Sequence, residues 1–240
     1  MNYNWNWAIL TAEPYFGWLV SGIGWTLLVS ALGWIIAFSL GSLIGVIRTL
    51  PSKPLRLFGM AYVELFRNVP LLVQMFIWFY VMPELVGEDL GRWMKRDMPF
   101  PEATSAILCL GTYTASRVAE QVRAGIESIP RGQSMAGYAM GLTTKQVYRY
   151  LLIPVGYRII VPPMTSEFLT IFKNSSLALT IGVAEVLYQA RQIENYTFQG
   201  FEAFTAATLI YLVITMIVVL ITDRVEARTR IPGYGVQGKT

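Results

Sequence analysis

The chain has 240 residues, 54% of them hydrophobic and 14% charged, against about 25% charged in soluble domains, so a soluble fold of this size would lack polar surface. Histidine is absent and Cys109 is the only cysteine. This excludes histidine-based acid–base catalysis, histidine or cysteine-cluster metal sites and an intrachain disulfide. The net charge of +4 does not point to nucleic acid, because the basic residues lie between apolar runs and form no basic block.

The composition predicts an all-α polytopic membrane protein with one transmembrane domain over residues 1–240. Met1 to Ala8 is polar and aromatic without a basic n-region, so no cleavable signal peptide is expected. A crossing helix needs about 20 mostly apolar residues, and five stretches serve. The first covers about 18–47, inside an uncharged run from Pro14 to Ile47 whose start, Tyr15 to Trp18, suits the aromatic-rich interface. Gly33, Ala37, Gly41 and Gly45 recur there every fourth residue, a face that lets helix backbones approach closely. Packing within the chain is the expected use, and a subunit interface is the alternative. The second span covers about 61–82 and takes in Glu64, Arg67 and Asn68, since Val69 to Met82 alone is too short to cross. Pro83 to Glu102 then mixes charges of both signs, with Leu90, Trp93 and Met94 spaced as in a short amphipathic helix. The third span covers about 103–122, with Arg117 and Glu120 in its last turns.

Gln121 to Tyr157 is too polar to cross and too patterned for a plain loop. Met135, Ala136, Ala139 and Met140 form the apolar stripe of a short helix. Gly141 suits the left-handed position that ends it, with Leu142 as the following hydrophobic contact. Thr143 and Gln146 form a capping box for a second helix, which carries Val147, Tyr148, Leu151 and Leu152 on one face and is expected to stop before Pro154. Two short helices joined by a glycine bend could present apolar knobs to a soluble partner. By periodicity alone, helices lying on the bilayer surface are an equal reading.

The fourth span, about 159–182, holds Glu167, Lys173 and a run of hydroxyl and amide side chains. Pro162-Pro163 and Asn174-Ser175-Ser176 predict breaks at both its ends. A helix this polar must face protein or a water-filled cavity, and broken polar helices are common at transporter substrate sites. Arg67, Asn68, Glu167, Lys173, Asn174 and Ser175 are therefore the candidates for a substrate path. Glu64–Arg67 and Arg117–Glu120, each three apart, are expected to pair as ions. The fifth span, about 203–222, is uncharged. With the N-terminus outside, thirteen Lys and Arg fall in inside segments, Arg224, Arg228, Arg230 and Lys239 among them, and five fall outside; the positive-inside rule favours this orientation.

Gly132-Gln133-Ser134-Met135-Ala136-Gly137-Tyr138-Ala139-Met140-Gly141-Leu142, followed by Leu151-Leu152-Ile153-Pro154, resembles the E-A-A-x3-G-x9-I-x-L-P loop of ABC importer permeases. Gly141 and Pro154 sit at the family spacing, Ala136 matches the first alanine and Ile153 is a conservative swap. Met135 stands where Glu is usual, and Gly137 where the second Ala is. Glu64-Leu65-Phe66-Arg67-Asn68-Val69-Pro70, Arg123 to Gln133, Pro162-Pro163 and Lys173-Asn174-Ser175-Ser176-Leu177 are similar to signatures of the polar amino-acid permeases in that family. Asn4-Trp5-Asn6-Trp7 and Val81 to Leu85 look most like its glutamate/aspartate branch.

The resemblance implies a type I importer fold and a cytoplasmic coupling element over about 133–153. Gln133, Met135, Ala136, Ala139, Gly141, Leu142, Thr143, Val147, Leu151 and Pro154 would dock on a separate ATPase. It also implies a second, different permease subunit, two copies of the ATPase, a periplasmic amino-acid-binding protein that Pro83 to Glu102 could meet, and a place in the bacterial inner membrane with the N-terminus periplasmic and the C-terminus cytoplasmic. No G-x-x-x-x-G-K-[ST] occurs, so ATP is expected to be used by the partner, with no cofactor held by this chain. Two rivals remain. A gradient-driven secondary transporter would work alone and show internal repeats. A membrane-embedded enzyme would have only carboxylates, Lys173 or Cys109 for its chemistry.

Overall fold

The computed structural model describes residues 3–229, all of whose regular structure is helical; Arg230 and Lys239 of the charge count lie outside them. After a 3₁₀ turn at Trp7–Thr11 come α1 (Tyr15–Thr49), α2 (Lys53–Asn68), α3 (Leu71–Phe76), α4 (Met82–Leu85), α5 (Glu88–Arg96) and α6 (Pro101–Glu127). Then follow α7 (Arg131–Ala139), α8 (Thr144–Val147), α9 (Ile153–Asn174), a 3₁₀ segment at Ser175–Ile181, α10 (Val186–Thr197) and α11 (Gly200–Thr229). By length and composition α1 and α11 can each cross a membrane; the broken pair Lys53–Asn68 and Leu71–Leu85 adds a third candidate. The 35 residues of α1 reach about 52 Å, well beyond the ~30 Å hydrocarbon layer.

The residues gather into two compact units, one of Met1–Ile35, Val69–Gly111 and Leu169–Val218, the other of Ile36–Asn68, Thr112–Phe168 and Val219–Thr240. In the first, Leu19, Val186, Ala190, Ile193, Ala203 and Ala207 form a core. In the second, Ile44, Val63 and Ala119 pack together with Leu40 and Tyr62. The small-residue face of α1 is used within the chain. A Cβ on Gly41 would lie 2.6 Å from the Ala115 carbonyl oxygen and from Val118 Cβ, and one on Gly45 would lie 2.6 Å from Val122 Cβ. Ala37 is fully buried.

Proline explains three departures from the sequence reading. The second span is not one helix over 61–82: α2 ends at Asn68 and α3 begins at Leu71. Pro70 disfavours the α conformation at Val69, and its own ψ of 136° takes the chain out of the helix. The helix after Gly141 does not stop before Pro154. A π-turn at Tyr148–Leu152 runs directly into α9. A second π-turn, Ile77–Val81, stands at the same offset before Pro83. A proline has no N–H to offer the ordinary i→i−4 bond, and the wider turn absorbs that defect. Finally, α9 passes through Pro162-Pro163 unbroken. Ile160, Met164, Glu167 and Ile171 keep one buried face across the pair, and that packing outweighs the lost bonds. The break expected at the other end does occur, where the α-helix gives way to 3₁₀ at Ser175.

Candidate functional site

The segment 133–153 folds as a helix pair. At its bend Gly141 has φ +84°, a conformation that only glycine adopts without strain. The Leu142 N–H donates to the Gly137 carbonyl (3.1 Å) and the Gly141 N–H to the Tyr138 carbonyl (2.9 Å), the paired bonds of a Schellman motif. The next helix opens on a complete capping box: the Gln146 N–H donates to Thr143 Oγ1 (3.4 Å), and the Thr143 N–H to Gln146 Oε1 (2.8 Å). Val147 is fully buried and faces Gly137, whose Cβ would lie 3.2 Å from Val147 Cγ2. Val147 thus holds the pair together from inside. Leu142 and Leu151 are half-buried and Gln133 likewise, while Ala136, Ala139, Gly141, Thr143 and Pro154 are exposed. Met135 and Met140 are 66% and 74% exposed, and Tyr138 lies between them in sequence, also open. Tyr148 ties the pair to the end of α1 by donating its hydroxyl hydrogen to the Thr49 carbonyl (2.7 Å).

Neither expected ion pair forms as the spacing suggested. Arg117 pairs with Glu167 rather than with Glu120, in a fork with Nε to Oε2 at 2.6 Å and Nη2 to Oε1 at 3.0 Å. Glu120 instead accepts from Arg48 Nη1 at 2.6 Å and from Arg123, which also reaches Glu127. Arg67 lies 3.9 Å from Glu120, not beside Glu64. The reason is reach. For Arg117 the bidentate fork to Glu167 is worth more than an i,i+3 contact on a helix surface, while Glu120 keeps an i,i+3 partner in Arg123 and gains Arg48 from α1.

Arg67, Asn68 and Glu167 belong to one unit, and Lys173, Asn174 and Ser175 to the other. Asn68 is exposed at the end of α2. Lys173 lines a cavity of about 230 Å³ with Ser176, Thr208 and Tyr211, and it has no carboxylate partner among the described residues. Ser175 is fully buried and donates to the Phe172 carbonyl (2.7 Å), so it braces the helix end. Sequence reasoning missed Glu185. This buried carboxylate caps α10 by accepting from the N–H groups of Tyr188 (2.7 Å) and Leu187 (3.0 Å), and it also accepts from the Tyr211 hydroxyl. An acidic residue just ahead of an apolar helical run was the available signal.

Residues 33–231 match the family described as "binding-protein-dependent transport system inner membrane component". The chain is 47% identical to the glutamate/aspartate import permease protein GltJ of Escherichia coli (strain K12), over 97% of this chain and 98% of the relative. It is 30% identical to the glutamate/aspartate import permease protein GltK of Escherichia coli O6:H1, over 95% and 99%. Among solved structures, an amino acid ABC transporter determined with histidines superposes with TM-score 0.78 at 28% identity, covering 95% of this chain and all of that one.

Proposed function

The chain belongs to the family of binding-protein-dependent transport system inner membrane components, and from that premise we propose that it imports glutamate and aspartate as one permease subunit of an ATP-driven complex. The family makes it a transport component rather than an enzyme. The acidic substrate rests on the relatives at 47% and 30% identity, both glutamate/aspartate permeases. That two distinct permeases share this role supports a heterologous pair here, each contributing five spans. The complex is completed by two copies of an ATPase, which consume the ATP, and by a periplasmic binding protein that delivers the amino acid. The Lys and Arg distribution supports a periplasmic N-terminus and a cytoplasmic α7–α8 bend.

The observation that carries the reading is the continuity from the exposed α7–α8 pair through the π-turn into α9. A rigid connection of this kind converts a push on Met135, Tyr138 and Met140 into displacement of α9. The same helix carries Glu167 and ends at Lys173 and Asn174, with Ser175 opening the 3₁₀ segment that follows. The Lys173 ammonium, which has no carboxylate partner among the described residues, lines its cavity and suits a carboxylate in passage; the Ser176, Thr208 and Tyr211 hydroxyls there already donate to the Lys173 carbonyl, the Phe204 carbonyl and Glu185. The test is uptake by reconstituted vesicles. Transport of glutamate should require lumenal ATP, the separate ATPase and the external binding protein. Uptake surviving omission of the ATPase would replace this mechanism by a gradient-driven one.

A further inference from the structure

A cavity of about 590 Å³ lies between the end of α1 and the start of α8–α9, within one unit. Its walls are mainly apolar, with Val46, Leu50 and Ile153 among them, and Tyr148 is fixed at its edge by the bond to the Thr49 carbonyl. Two cations also line it, Lys145 and Arg149, four apart on one helical face. Neither meets a carboxylate among the described residues. Arg149 lies 5.8 Å from the ring of Tyr150, and both cations are exposed.

Depth follows from the sequence. The uncharged run that begins at Pro14 ends at Ile47, and Arg48 is the first charge after it; the run is longer than the hydrocarbon layer, so the cavity lies at the headgroup end of α1, on the side that the Lys and Arg distribution makes cytoplasmic. Val46 and Leu50 flank that change from uncharged to charged sequence, and Lys145 and Arg149 supply one ammonium and one guanidinium beside it. We propose that this cavity binds one anionic phospholipid, with an acyl chain against Val46, Leu50 and Ile153 and the phosphate between Lys145 and Arg149. An apolar wall joined to a pair of unneutralised cations at this depth matches such a lipid in both halves. An acidic protein segment would match only the cations and would have to carry backbone polar groups into the apolar half. The assignment does not depend on which solute the chain transports.

The experiment is native mass spectrometry of the full chain released from nanodiscs of mixed phosphatidylcholine and phosphatidylglycerol. One phosphatidylglycerol should stay bound per chain. Each basic residue near the surface contributes about a fivefold preference for anionic lipid, so the pair should favour phosphatidylglycerol by about thirtyfold. The Lys145→Gln/Arg149→Gln variant should lose that preference, and Lys145→Arg/Arg149→Lys, which keeps the charge, should retain it. Soluble glycerol phosphate in excess should not displace the lipid. Equal retention of the two lipids, an unchanged preference in the glutamine variant, displacement by glycerol phosphate, or a photocrosslink from position 149 to another protein in place of lipid would each overturn the proposal.

Discussion

Gly141 and Arg117 show how single residues set the limits of this structure. At Gly141 the backbone is left-handed, and a side chain there costs about 1–2 kcal/mol; open space around the position means the cost is conformational, with no clash. Gly141→Val should therefore reduce co-purification of the ATPase and ATP-dependent uptake while leaving thermal unfolding of the membrane helices within a few degrees of the parent. Arg117 answers Glu167, whose side chain is 7% exposed against 41% for the arginine. Arg117→Met leaves that carboxylate buried without its cation. Breaking a fully buried pair costs about 3–5 kcal/mol, and the partial exposure of Arg117 brings the expected loss to about 2 kcal/mol. Arg117→Met/Glu167→Met should recover most of it, because the uncompensated charge goes as well. Thermal melting in detergent measures both variants, and a double variant no more stable than the single one would contradict the account.

Among the elements, α1 and α6 approach each other closely. Gly41 meets the Ala115 carbonyl and Val118, and Gly45 meets Val122, leaving no room for a side chain on the α1 face. Overpacking of this kind costs about 1–3 kcal/mol, and backbone atoms at 2.6 Å cannot yield as a flexible side chain would. Gly41→Leu should lower the yield of folded protein and its melting temperature. Gly24, with nothing within 4 Å of its would-be Cβ, supplies the control: Gly24→Ala should be neutral or slightly stabilising. The π-turns before Pro83 and Pro154 belong to the same scale. They let a helix continue past a residue that has no N–H, and the second keeps α8 joined to α9.

For the whole molecule, transport demands that one solute charge be met and then released. Lys173 lines its cavity without an opposing carboxylate among the described residues, so a ligand carboxylate would be the compensating charge. Lys173→Met should lower glutamate uptake by about tenfold, corresponding to roughly 1.4 kcal/mol, with ATPase assembly intact. Wild-type uptake by Lys173→Met would remove the residue from the substrate path. Lys173→Arg keeps the charge but not the compact ammonium, and an intermediate rate is expected from it.

The sequence by itself determined what depends on neighbours a few residues away. The helical membrane composition, the Gly141 bend, the Thr143–Gln146 capping box and the change of helix type after Asn174 all follow from bonds between residues two to five apart. The family was legible for the same reason, since its motifs sit in those local elements. Only the tertiary structure decided which charges meet across distant parts of the chain. Arg117 finds Glu167 fifty positions on, and Arg48 finds Glu120 seventy-two positions on, distances over which spacing rules carry no information. The helix through Pro162-Pro163 was likewise beyond local reading. Proline's intrinsic preference opposes that helix, and the buried face from Ile160 to Ile171 prevails because packing energy is summed over contacts from distant parts of the chain.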